Sequence, residues 1–168
     1  LPSMLMPTYP VSSSAIATLV GNMLKVGDDA PDFLVVDNTL KDVKLNDTKG
    51  KRIFVTVPSI DTSVCDMEVR KFNEEASKLN DVTVYVVSMD LPFAQVRWCG
   101  NAGVDRVKTV SDFKQKSFGK QYGTLIQEFG FLTRAIFVVD ENNKITYVEY
   151  CNDVINEPNY EKVLDAVK

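Results

Sequence analysis

The stretch KRIFVTVPSIDTSVCDMEVRKFNEEASKLNDVTVYVVSM, residues 51–89, decides the fold. It opens on a β-branched run, KRIFVTVP, that Pro58 brings to an end. A short loop then leads into a segment where Val64, Glu68, Phe72, Ala76 and Leu79 recur at steps of three and four. That is the helical period, and Ser63 with Asp66 three residues on fits a capping box, so a helix is expected from about Ser63 to Leu79. VTVYVVSM follows, a mostly β-branched run of the kind found in strands buried on both faces. Strand, helix and strand in this order form a βαβ unit, with parallel strands and a right-handed crossover.

Working outward, VGDDAPDF is turn chemistry. FLVV and VKL, separated by the polar DNTLKD, read as a hairpin. Downstream, AQVRWCG and SDFKQKSFGKQYG are short helix or turn segments, and AIFVVD and ITYVEY form a second hairpin across ENNK. The tail EPNYEKVLDAVK is expected to be a helix with Pro158 at its first position and Tyr160, Val163, Leu164 and Val167 on one face. The sum is an α/β domain, a mixed sheet with helices on both faces.

Residues 1–20 stand apart: they carry no charge and include three prolines and three consecutive serines. A signal peptide wants a basic start, and the first basic residue is Lys25. A membrane helix wants about 20 unbroken apolar residues, and Pro7, Pro10 and Ser12–Ser14 interrupt this run. We expect an ordered or partly ordered arm over residues 1–18 and a single domain over 19–168. An opening on Leu1 rather than Met is what processing or engineering would leave.

Composition narrows the chemistry. The 168 residues are enough to bury roughly 70% of the unfolded surface without disulfide staples. With 19 basic and 23 acidic side chains the net charge is −4, which argues against a phosphate-binding surface, so no nucleic-acid partner is expected, nor a membrane. There is no histidine. Ser-His-Asp and Cys-His nucleophile systems, Cys₂His₂ zinc sites and His-ligated haem are therefore excluded. Three cysteines, Cys65, Cys99 and Cys151, are an odd number, and none lies in a C-x-x-C.

Cys65 falls just inside the expected helix start. The first N–H groups of a helix lack internal partners and carry partial positive charge, which favours an anion there. An ordinary thiol is only ~3% ionised at neutral pH, and lowering its pKa to ~6 requires ~3.4 kcal/mol. A helix end supplies about 0.3–1 kcal/mol and ~2 at best, so a nucleophilic cysteine here also needs a cation. With no histidine, that cation is Lys or Arg. Free cysteine is also commonly a small buried hydrophobe, and that plainer role is the alternative for each of the three. Two neighbours favour chemistry at Cys65. Pro58 can shield the site, and Thr62 places a hydroxyl one turn before the sulfur.

The run P-S-I-D-T-S-V-C, residues 58–65, resembles the peroxiredoxin active-site pattern, and in detail that of the bacterial thiol peroxidases, which are atypical two-cysteine peroxiredoxins. VGDDAPDF, CDMEVRKFNEEASKL, MDLPFAQVRWCG, VKTVSDF, SFGKQYG, RAIFVVD and YVEY match the same group in order. The resemblance covers about Leu19 to the C-terminus. It implies a thioredoxin-like fold, a central mixed sheet flanked by helices, with an N-terminal hairpin that residues 1–18 do not clearly display. It implies that Cys65 is the peroxidatic cysteine, whose thiolate takes the terminal oxygen of a hydroperoxide, and that Thr62 and the Cys65 N–H hold the peroxide oxygens. Arg134, in L-T-R-A-I-F, would be the active-site arginine and the required cation. Cys99, in R-W-C-G, would be the resolving cysteine that closes an intrachain disulfide; because both cysteines lie on expected helical segments, the first turn of the Cys65 helix and the segment around Cys99 are expected to unwind partly as it forms.

The resemblance further implies no metal, haem or flavin, thioredoxin as electron donor, and a homodimer. Hydrogen peroxide and alkyl hydroperoxides are the expected substrates. Cys151 matches no catalytic position and is read as structural. Glu68 could orient Arg134 or favour the helix start. Phe93, Trp98 and Phe129 could line an apolar peroxide pocket or be ordinary core aromatics. A redox sensor that hands its oxidation to a partner protein would use the same sulfenate. A dithiol cycle without structural disulfides suits a reducing cytoplasm, with the uncharged N-terminus leaving export or organelle targeting open.

Overall fold

The computed structural model describes residues 8–12, 15–103, 105–151 and 157–168. Residues 1–7 of the expected arm lie outside them. Two strands, β1 (Thr8–Ser12) and β2 (Ala15–Thr18), pair antiparallel as a separate ribbon. This is the N-terminal hairpin that the resemblance implies. Pro10 sits in β1, which a two-stranded ribbon tolerates because, among the described residues, one edge of each strand has no ladder partner. The ribbon joins the body where Val20 N donates to Leu125 O and Gln127 N to Thr18 O.

The main sheet has seven strands in the order β4-β3-β7-β6-β5-β8-β9. They are β3 (Leu34–Val36), β4 (Asp42–Lys44), β5 (Lys51–Thr56), β6 (Val82–Ser88), β7 (Val107–Ser111), β8 (Ala135–Val139) and β9 (Ile145–Tyr150). The β5–β6 and β6–β7 pairs are parallel and the others antiparallel, so the sheet is mixed as expected. Both expected hairpins are present, as β3–β4 and β8–β9. The helices are α1 (Ser63–Ala76), α2 (Pro92–Ala102), α3 (Ser117–Gln121) and α4 (Tyr160–Ala166).

Strand alternation splits the sheet into two cores. Ile53, Val55, Val84, Val86, Ile136 and Val138 face Val69, Phe72 and Ala76 of α1 and Val163 of α4. Their neighbours Phe54, Tyr85, Val87, Phe137 and Val139 face the other way, against Phe33, Phe118 of α3 and Tyr122. Phe118 and Tyr122 stack with centroids 4.1 Å apart. Each such fully buried side chain contributes about 1.5–3 kcal/mol, so covering both faces is what makes a central run of β-branched residues stable.

Several boundaries differ from the sequence reading. Strand β7 lies between two segments read as helix or turn. Its five residues are too short for periodicity to separate them from a loop, although only Lys108 is exposed. The N-cap of α1 is Thr62 rather than Ser63. Thr62 has extended backbone (φ −88°, ψ 148°) and its hydroxyl accepts from Cys65 N, while Ser63 is already helical. Asp66 consequently does not fold back on the cap. α4 is capped by Asn159, whose side chain accepts from Lys162 N, so Pro158 precedes the cap instead of opening the helix.

Candidate active site

The end of β5 and the start of α1 present Cys65. Val57 N still donates to Val87 O, after which Pro58 and the 59–62 loop turn the chain into the helix. Asp90, just beyond β6, anchors that loop. Its carboxylate accepts from Ser59 Oγ (2.8 Å), Ile60 N (3.0 Å) and Ser88 Oγ (2.7 Å). Asp90 plays no part in the sequence reading. Its place in the MDLP run, beside Pro92 at the first position of α2, is the signal that could have found it.

Cys65 is fully buried, and its Sγ lies 3.2 Å from Nη2 of Arg134. Arg134 precedes β8, where its backbone is fixed by Cys151 N donating to Arg134 O and by Thr56 Oγ1 donating to Thr133 O. The structure thus brings together the cysteine, the helix end and the cation. The Thr62 hydroxyl accepts from Cys65 N at 3.2 Å and donates to Ser59 O at 3.2 Å. Pro58 is half-buried at the mouth of the loop.

Glu68, one turn after Cys65, is fully buried and its Oε2 pairs with Arg134 Nη1. Its other oxygen, Oε1, has no hydrogen-bond partner among the described residues. Burial pushes the Glu68 carboxyl up to about 7, with Arg134 opposing the rise and Glu157 and Glu149 adding to it. Arg134 remains a cation: its own burial works against charge, but Glu68 and Cys65 hold its pKa above the ordinary value. One guanidinium therefore spans the cysteine and the carboxyl, and the orienting role considered for Glu68 matches the contact. Tyr160 of α4 packs nearby on Phe72, with centroids 5.3 Å apart, and burial and Glu68 both raise its hydroxyl.

Cys99 lies in the last turns of α2, half-buried, with its Sγ 3.6 Å from Thr109 Oγ1 on β7. The two sulfurs face different partners, and no disulfide joins any of the three cysteines. Cys151 is buried directly after β9. Phe93 and Phe129 are exposed, so neither is a core aromatic, and Trp98 turns its indole onto Asp66.

A buried cysteine at a helix start beside an arginine, on a thioredoxin-like sheet, defines a thiol-based redox protein. Comparisons with known proteins go further. The Redoxin family model matches residues 25–164. A thiol peroxidase of Bacillus subtilis is 55% identical over 152 residues, covering 90% of this chain and 91% of that one. A thiol peroxidase of Clostridium acetobutylicum is 51% identical over 151 residues, covering 90% and 92%. Among solved structures, a peroxiredoxin-like protein from Aquifex aeolicus superposes with a TM-score of 0.88 at 40% identity, covering 95% of each chain. A thiol peroxidase from Chromobacterium violaceum shares the fold, with a TM-score of 0.85 at 21% identity over 94% of each chain. The chain belongs to the redoxin family and, within it, to the thiol peroxidases, which are oxidoreductases of the peroxiredoxin type. Among the described residues, no helix is long and apolar enough to cross a membrane.

Proposed function

We propose that Cys65 reduces hydrogen peroxide and alkyl hydroperoxides, that Cys99 resolves the product, and that thioredoxin recycles the enzyme. The Cys65 thiolate attacks the terminal peroxide oxygen. The O–O bond breaks, Cys65 becomes a sulfenic acid, and the leaving oxygen takes a proton to depart as water or an alcohol. Arg134 stabilises the thiolate and the charge that develops on the breaking bond. Thr62 and the Cys65 N–H orient the peroxide, and Pro58 keeps bulk water from the sulfur. Cys99 then displaces the sulfenate oxygen to give an intrachain disulfide, which thioredoxin reduces by thiol–disulfide exchange. The chain acts as a homodimer in a reducing cytoplasm, within a single domain spanning residues 19–168.

The observation that carries this reading is the 3.2 Å contact between Arg134 Nη2 and Cys65 Sγ at the capped start of α1. It supplies the cation that the helix end alone cannot replace. The test is peroxide consumption coupled to thioredoxin, its reductase and NADPH. Cys65→Ser should abolish turnover. Cys99→Ser should keep the first oxidation and lose the coupled cycle. Full peroxidase activity in Cys65→Ser would exclude the mechanism.

A further inference from the structure

The two redox helices are joined one residue away from each thiol. Asp66 follows Cys65, and Trp98 precedes Cys99. Trp98 Nε1 donates to Asp66 Oδ1 at 2.8 Å. The other oxygen of Asp66 accepts from Arg70 Nε at 2.8 Å. The same guanidinium lies over the Trp98 ring, 5.7 Å from its centroid, and donates to Ala102 O at the end of α2 at 3.2 Å. Three side chains from two helices therefore close one cluster, whose members Asp66 and Trp98 are the chain neighbours of Cys65 and Cys99.

We propose that Asp66, Arg70 and Trp98 form a clasp that holds α1 and α2 folded, and that releasing it gates formation of the Cys65–Cys99 disulfide. These are positioning residues, and the inference rests on Cys99 being the resolving cysteine. In that step the Cys99 sulfur attacks the Cys65 sulfenic sulfur. The S–S bond forms, the S–O bond breaks, and the oxygen leaves with the Cys99 proton as water. Before it, Cys65 Sγ is turned to Arg134 and Cys99 Sγ to Thr109. Bond formation must turn both sulfurs away from these partners, and on this proposal the first turn of α1 or the last turns of α2 shift to allow it. Any such shift pulls on the Asp66–Trp98 bond, because these are the chain neighbours of the two sulfurs. While the clasp stays closed, the sulfenate waits, and a second peroxide can carry it to sulfinic acid.

Trp98→Phe removes the indole N–H and keeps an aromatic ring for Arg70. Rapid-quench alkylation with mass spectrometry follows thiol, sulfenate and disulfide separately. We expect an unchanged rate of first oxidation, a resolution rate raised about fivefold, as for the loss of one ordinary hydrogen bond, and less sulfinic acid at high peroxide. Asp66→Asn keeps an oxygen for the indole but loses the charge paired with Arg70. It should raise resolution by about twofold, read by the fluorescence of Trp98, the single tryptophan. A merely structural role would lower stability without separating the two rates. Resolution unchanged or slower in both variants overturns the clasp. Adding Cys99→Ser to wild type and to Trp98→Phe isolates the underlying reading. Loss of the Cys65 disulfide in both supports it, whereas a disulfide that still forms refutes the role of Cys99.

Discussion

Removing Arg134 should separate folding from reactivity at this site. In Arg134→Met the long side chain is replaced by an apolar one, leaving Glu68 buried with no counter-charge. Arg134 is 1% exposed and Glu68 not at all, so water cannot take over either partner. Breaking a buried pair from one side costs about 3–5 kcal/mol where the remaining group must stay charged, so the loss is expected at pH above the Glu68 value of about 7 and is measured there. Replacing both partners by apolar groups avoids that cost, so Glu68→Leu/Arg134→Met should recover more than half of the lost stability. Reactivity should not recover. The helix end stabilises an anion by about 2 kcal/mol at most, against ~3.4 kcal/mol needed to make an ordinary thiol mostly thiolate at neutral pH. The missing ~1.4 kcal/mol corresponds to about a tenfold loss. Urea midpoints by circular dichroism give the stabilities, and quenched alkylation of Cys65 after peroxide mixing gives the rates. Wild-type oxidation rates in Arg134→Met would refute the assignment of the activating cation. A double variant as unstable as the single one would refute the stranded-charge argument.

Two further outcomes follow from buried groups. The Glu68 carboxyl is raised from 4.5 to about 7 in the folded chain, chiefly by burial. Between those values the folded state holds a proton that the unfolded state has lost, so stability falls as pH rises through this window. Asp112, raised from 3.8 to about 6, acts in the same direction at slightly lower pH. Urea midpoints should decline between about pH 5 and pH 7, and Glu68→Gln should flatten the upper part of that decline; an identical slope in the variant would contradict the burial argument. The second outcome concerns Gly119 in α3, where an added Cβ would lie 2.6 Å from Leu132 Cδ2 and 3.0 Å from Leu125 Cβ. Gly119→Ala should destabilise by about 1–3 kcal/mol. Gly100→Ala in α2, where nothing lies within 4 Å, should instead stabilise by about 0.4–1 kcal/mol, both read from denaturant melts.

What local sequence determines here is what needs only neighbours. The β-branched runs of β5 and β6, the 3.6 period of α1 and the Pro58 break set the βαβ unit, because each depends on residues within a few positions. The placement of Cys65 at a helix start follows from the same period, and the absence of histidine leaves arginine or lysine as the activating cation. Strand β7 escapes such reading because five residues carry too little periodicity. The N-terminal ribbon escapes it because proline and serine are break signals until a pairing partner is known.

Identity and geometry at the site are decided at long range. Arg134 is 69 residues from Cys65, and only the antiparallel β5–β8 pairing delivers it to the sulfur. Whether Glu68 serves the helix dipole or the arginine cannot be told from its spacing. It is settled by burial, which takes the carboxyl out of solvent and sets it against Arg134. Asp66 fits a capping box in sequence, yet its carboxylate goes to Arg70 and Trp98, because Thr62 already caps the helix and α2 packs alongside. Which chemistry is available follows from the residues alone, since side-chain inventory and helix period are local properties. Which groups share a charge is fixed by packing at long range, since those contacts depend on how the sheet orders its strands.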